Sequence, residues 1–255
     1  MRAVPFDHHA YNVDYYARNR ASEMTRVVSR QRATLEWLRE LRRVPCQDCG
    51  GVFPSHVMDF DHRDPSMKSF GVASQNMYLK NRAALAAEVA KCDIVCANCH
   101  RIRTAAALAA GIIKPGFQAT TSVSSTPAAA KKRDAWRIRR TEQMDLLVRL
   151  RQMPCMSCGG TFPVCAMEFD HRTGTTKRGN VSAMAGQVRI AILLEEIAKC
   201  DIVCTNCHRE RSFRRRSANA GVAQLVRAAA FQAAGRGFET RLPLHENSMQ
   251  LPLIA

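Results

Sequence analysis

No run of about 18 apolar residues occurs in the chain, and a membrane-spanning helix needs one. The opening stretch, Met1-Arg-Ala-Val-Pro-Phe-Asp-His-His9, lacks the apolar core of a secretory signal. Acidic residues are scarce: 22 Asp and Glu stand against 38 Lys and Arg, a formal charge of +16 over 255 residues. That imbalance points to a polyanionic partner, with nucleic acid foremost, and no membrane partner is expected. An apolar fraction of 46% excludes wholesale disorder. These absences together imply a cytoplasmic chain with reduced thiols. Its 11 cysteines therefore need an explanation other than disulfides.

The cysteines are grouped in CxxC units: Cys46/Cys49, Cys96/Cys99, Cys155/Cys158 and Cys204/Cys207. The units fall into two copies of one pattern. Pro45-Cys-Gln-Asp-Cys-Gly-Gly-Val-Phe-Pro54 recurs as Pro154-Cys-Met-Ser-Cys-Gly-Gly-Thr-Phe-Pro163, and Phe60-Asp-His-Arg63 recurs as Phe169-Asp-His-Arg172. Ala90-Lys-Cys-Asp-Ile-Val-Cys-Ala-Asn-Cys-His-Arg101 recurs as Ala198-Lys-Cys-Asp-Ile-Val-Cys-Thr-Asn-Cys-His-Arg209. The offset is 109 residues early (46 to 155) and 108 late (96 to 204), so the second copy is one residue shorter inside. A repeat of this kind sets the domain organisation.

Residues 1–15 read as irregular, and Tyr16–Arg43 reads as a basic helix with Leu35, Leu38 and Leu41 on one stripe. Pro45 ends this N-terminal segment (1–44) and opens the first module, 45–110. Within that module Gly50-Gly51 permits a turn around a metal, and Val57–Asp61 alternates as a strand. Residues 64–80 are a loop, Asn81–Lys91 a helix, Asp93–Val95 a short β-prone link, and Ala97–Ala110 a helix closed by Gly111. A Pro-, Gly- and Ser/Thr-containing linker spans 111–130. A second basic helix at 131–153 precedes the second module, 154–216. In the tail, 217–255, the segments Gly221–Ala228 and Gly235–Arg241 resemble translated D- and T-arms of a transfer-RNA gene. A read-through or fused product without function is expected there.

Two CxxC units supply four thiolates in a tetrahedron, which suits a structural Zn²⁺ with no open position. A thiol-redox reading needs one CxxC in a thioredoxin-like βαβ setting, and that setting is missing. Modules of about 60 residues are short of apolar core, and metal closure offsets the shortfall. Cys92, Cys165 and Cys200 lie outside this spacing and read as small buried apolar residues. Asp61-His62 and His100 recur as Asp170-His171 and His208. With zinc satisfied by cysteine, a carboxylate and an imidazole suit a second, hard cation such as Mg²⁺, Mn²⁺ or Ni²⁺. A neutral imidazole also suits general-base work. Neighbours on a regular strand face opposite sides, so the strand must end or bulge if Asp61 and His62 serve one site.

The pattern CxxCGG–FP–FDHR–(loop and helix)–CxxCHR resembles the zinc-containing HNH endonucleases of phages and mobile elements, over about residues 45–105 and 154–213. The resemblance implies an α+β fold of two small ββα-metal modules, each with a Cys₄ zinc knuckle and a preceding basic helix. It implies a DNA phosphodiesterase of a bacterial host or phage that needs no small-molecule cofactor. By position, His62 and His171 become the general bases. Asp61 with His100, and Asp170 with His208, become the ligands of the catalytic ion. The family's middle Asn is absent from its usual place, where Lys91-Cys92-Asp93 and Lys199-Cys200-Asp201 stand; Asn98 and Asn206 are the available substitutes. Arginines flank both modules, among them Arg26, Arg30, Arg42, Arg43, Arg137, Arg139, Arg140 and Arg214–Arg216, and suit contacts to phosphate. A rival reading keeps the cysteines and the basic charge but has no use for the Asp-His sets: a non-catalytic zinc-ribbon protein that binds DNA or RNA.

Overall fold

The computed structural model describes residues 7–72, 81–113 and 126–233. Helix α1 (His8–Leu41) starts earlier than the sequence pattern suggests. The Asp7 side chain accepts from the His9 N–H at 2.9 Å, and no Pro or Gly interrupts the turns that follow. Strand β1 (Met58–His62) is followed by helix α2 (Arg82–Val89), strand β2 (Cys92–Cys96) and helix α3 (Ala97–Ala109). The second copy runs through helix α4 (Pro127–Leu150), strand β3 (Met167–His171), helices α5 (Val181–Met184) and α6 (Ile190–Ile197), strand β4 (Cys200–Cys204) and helix α7 (Thr205–Ala233). Among the described residues the architecture is α+β, with two separate two-stranded antiparallel sheets, β1–β2 and β3–β4.

Local chemistry explains the boundaries. Thr126 caps α4 by accepting from the Ala129 N–H, with Pro127 in the first turn. Helix α4 thus begins inside the segment read as linker; residues 114–125 of that segment lie outside the described residues. Asn81 caps α2 through the Ala84 N–H at 2.8 Å. Helix α3 ends in a Schellman motif: Ile112 N–H bonds Ala107 O, Gly111 N–H bonds Leu108 O, and Gly111 takes φ +70°. Helix α7 runs past residue 216, because the alanine-rich, proline-free stretch from Ser217 to Ala233 has high helix propensity. Residues 234–255 of the tail lie outside the described residues.

By internal contacts the chain divides into Met1–Arg211, which holds the first module and the second as far as Arg211, and Ser212–Ala255. Each module has two apolar clusters. Leu38 of α1 is buried with Leu85 and Cys92, backed by Phe60. Leu147 of α4 is buried with Leu193 and Cys200, backed by Phe169. Leu38 and Leu147, the buried leucines by which the two basic helices dock, are 109 positions apart, with Leu35 and Trp37 of α1 and Met144 of α4 packed beside them. Arg42 and Arg151, at the same offset, lie over the rings of Phe60 and Phe169 at 4.7 and 6.0 Å. The second cluster joins the cysteine knuckle to the sheet: Cys46, Met58, Val95 and Cys96, matched by Cys155, Met167, Val203 and Cys204.

The modules pack on each other about a pseudo-two-fold relation. The backbone N–H of Asn98 donates to Asn206 Oδ1 at 2.9 Å, and the N–H of Asn206 donates to Asn98 Oδ1 at 3.0 Å. Both asparagines are buried in the first turns of α3 and α7, so each satisfies an orphan N–H of the other module's helix.

Candidate metal centres and the histidine clusters

The knuckle turn brings two cysteines together in each module. Cys46 N–H bonds Gly51 O and Gly50 N–H bonds Cys46 O, with Gly50 at φ +68°, a conformation that favours glycine. A Cβ on Gly51 would meet the Phe53 ring at 2.7 Å, so any larger residue there requires that ring to move. Strand β2 then delivers Cys96 at its end, and the first turn of α3 delivers Cys99. In both quartets, Cys46/Cys49/Cys96/Cys99 and Cys155/Cys158/Cys204/Cys207, the sulfurs lie within 4.8 Å of one another. A tetrahedron with Zn–S of about 2.3 Å has sulfurs about 3.8 Å apart, so the quartets could hold zinc.

The thiols are poised unequally. Burial works against the thiolates of Cys46 and Cys155, but backbone N–H donors outweigh it and bring each down to about 7. Cys99 and Cys207 are pushed strongly upward by burial and by neighbouring sulfurs. Four thiolates at this spacing repel one another, and a divalent ion supplies the charge that lets all four ionise. Among the described residues, only these quartets bring three or more His, Cys, Asp or Glu ligand atoms so close. Cys92 and Cys200 lie buried in the apolar clusters, where burial raises each thiol to about 11. Cys165 is only half-buried, because it sits in the short turn Val164–Ala166 ahead of β3.

The strands pair in a regular register without a bulge: Asp61 opposite Asp93 and His62 opposite Cys92, then Asp170 opposite Asp201 and His171 opposite Cys200. Alternation sends Asp59 and Asp61 to one face and Phe60 and His62 to the other. His100 reaches the aspartate face from α3. Its Nδ1–H donates to Asp59 at 2.8 Å, and its Nε2 stands 3.5 Å from Asp61 Oδ1. In the second copy His208 donates to Glu168 at 2.6 Å and faces Asp170 at 3.4 Å. The carboxyl of Asp59 is drawn down to about 2; burial opposes this, and hydrogen bonds from His100 and Arg209 override it.

His62 and His171, the expected bases, are turned away from these pairs. His62 Nε2 meets Glu88 Oε1 at 2.8 Å, and His171 meets Glu196 at the same distance. Glu88 is 2% exposed and also accepts from Lys91 Nζ and from the Ser69 and Phe70 N–H groups. Those donors, Lys91 first, hold its carboxyl far below the usual range against the opposing effect of burial. Asp61 and the glutamate-bound His62 come together at the strand end, where with Arg63, Asp93 and Arg103 they border one cleft of about 750 Å³.

Several participants escaped the sequence reading. Asp61 and Asp93 are like charges directly across the ladder, an arrangement that destabilises a sheet. Arg103 offsets it, with Nη1 at 3.3 Å from Asp61 and 2.9 Å from Asp93, and it also pairs with Asp48. Arg211 does the same for Asp170 and Asp201, at 3.0 and 2.7 Å. The signal was the repeat itself: Arg103 and Arg211 follow the terminal histidines by three residues, Asp59 and Glu168 precede the strand aspartates by two, and Glu88 and Glu196 are 108 apart. Asn98 and Asn206, the asparagines available in place of the middle Asn, bond each other's backbone. No described helix is long and apolar enough to cross a membrane. No family model, curated protein or solved structure matches this chain.

Proposed function

We propose that the chain is a divalent-metal-dependent endonuclease of the HNH kind acting on DNA, with one centre per module. The observation that carries this reading is the pinned imidazole. In both modules a carboxylate accepts from Nδ1–H and the opposite nitrogen faces a second carboxylate, at 3.5 Å for His100 with Asp61 and 3.4 Å for His208 with Asp170. A histidine whose tautomer is fixed by a carboxylate in this way is preorganised as a metal ligand. Two protein ligands leave positions for water and phosphate oxygens, as Mg²⁺ and Mn²⁺ prefer. An ion bound there would polarise the scissile phosphodiester and stabilise the leaving 3′-oxygen.

The chain's own residues supply the proton chemistry. His62 donates Nε2–H to Glu88, which leaves Nδ1 as the basic nitrogen to take a proton from water. The anionic Glu88 then faces the imidazolium that forms. His171 and Glu196 repeat the arrangement. The charge of +16 draws the polyanion in without reading its sequence.

One observation favours the rival, a basic zinc-stapled protein that binds nucleic acid without cutting it. Arg103 and Arg211 already place a cation against Asp61 and Asp170. Plasmid nicking with Mg²⁺ or Mn²⁺ separates the two readings. Nicking that persists in each of His62→Ala and His171→Ala and vanishes in the double variant supports the nuclease. Undiminished cleavage by the double variant, or no divalent binding beyond two zinc equivalents, refutes it and leaves the binder.

A further inference from the structure

The arginines that follow the terminal histidines cross between modules. Arg209, from the second module, grips Asp59 of the first with both guanidinium nitrogens, Nη1 to Oδ1 and Nη2 to Oδ2, each at 2.7 Å. Asp59 is the carboxylate that fixes the ring of His100. In return, Arg101 of the first module pairs with Oε1 of Glu168, whose Oε2 fixes the ring of His208. Each histidine is thus oriented by a carboxylate that is itself held by the other module's arginine. The mutual asparagine bonds lie in the same interface, within three residues of both arginines in sequence. At Asp59 the planar, two-point binding of Arg209 is what a lysine could not reproduce: it fixes the rotation of the carboxylate as well as its position, whereas Arg101 holds Glu168 through one nitrogen.

We infer that Arg101 and Arg209 are positioning residues acting across the module boundary, so that each module's histidine centre is complete only when the other module is docked. The inference deepens the nuclease reading, on which its functional consequence rests. The two centres then work as a fixed pair rather than as two beads on a linker. Damage to one module's arginine falls on the other module's histidine.

The test uses the full zinc-loaded chain and long-range ¹H–¹⁵N spectra of the imidazole rings at one fixed alkaline pH, which report tautomer without divalent ion or substrate. Wild type shows His100 and His208 each in the Nδ1–H form. In Arg209→Leu the single-tautomer pattern is lost at His100, and in Arg101→Leu it is lost at His208. Arg209→Lys keeps the charge without the fork, Arg101→Lys keeps it without the planar guanidinium, and both give the same crossed pattern more weakly; they also stand in if a leucine variant fails to retain two zinc ions. In a His208→Ala background, which removes an ion ligand of the second centre, Arg209→Leu lowers Mn²⁺ affinity at the first centre by about 10- to 100-fold, the usual range for lost outer-shell support. Loss confined to the histidine of the substituted module, or no change at either ring, overturns the inference. Failure of the nuclease reading shows separately, as absent nicking alongside an intact crossed tautomer pattern.

Discussion

Replacing Asn98 by Ala removes the Oδ1 that accepts from the buried Asn206 N–H and leaves that donor at the start of α7 without its side-chain cap. An unpaired buried donor costs about 1–3 kcal/mol, in the upper part of the range for lost helix caps. For a folded unit of roughly 150–250 residues, this lowers the melting temperature by about 2–12 °C. Asn206→Ala should cost a similar amount, because Asn98 N–H loses its acceptor in the same way. The two bonds share one interface, so the double variant should lose less than the sum. Thermal melts followed by far-ultraviolet circular dichroism, with zinc content checked in each variant, measure all three. An asparagine that served a metal site instead would behave oppositely, with chemistry lost and melting temperature kept. Melting within about 0.5 kcal/mol of wild type for both single variants, the range of an ordinary surface change, would refute the cross-capping account.

Chelation or Cys46→Ser should unfold the first module's knuckle; elemental analysis should find two zinc equivalents in wild type and one in the variant. Leu147→Ala should destabilise the second module by about 2–5 kcal/mol, since the side chain is wholly buried among Leu193, Val181 and Cys200, with denaturant melts as the measure. Stability should fall on acidification. Glu196 is held at about 2, chiefly by Lys199, and Asp59 at about 2, against ordinary values near 4.5 and 3.8. Their contribution is full above those ordinary values and is lost as pH drops toward 2, so Glu196→Gln should flatten an acid titration of stability in that window.

The sequence disclosed most about elements whose chemistry is local. The CxxC spacing, the glycine pair and the alternation of Val57–Asp61 each depend on a few consecutive residues, and the knuckles, strands and closing turn at Gly111 follow from them. Helix starts were harder to place, because Asp7 and Thr126 act as caps just ahead of stretches that look irregular or linker-like. The site was legible by half. His100 meeting Asp61 followed from the repeat, but the turning of His62 to Glu88 did not, because Glu88 comes from α2, 26 residues away in sequence. The reciprocal contacts of Asn98 with Asn206 and of Arg209 with Asp59 link residues 108 and 150 positions apart, and no local pattern announces such pairings.

A surface on which Asn98 meets Asn206 and each meets the other's backbone is self-complementary: one module alone carries both halves of the bond and would fit a twin by the same patch. Covalent joining removes the obligation of sameness that a homodimer imposes on every subunit. The chain uses that freedom. His56 of the first half reaches Glu210 of the second at 2.5 Å, yet the corresponding positions on the opposite side are Cys165 and Ile102, which cannot repeat the contact. Likewise Asp48, which steadies Arg103, corresponds to Ser157 in the second copy, which has no carboxylate to offer. Tethered twins can therefore drift apart in character, one side becoming more firmly braced than the other, without losing the fit that keeps them together.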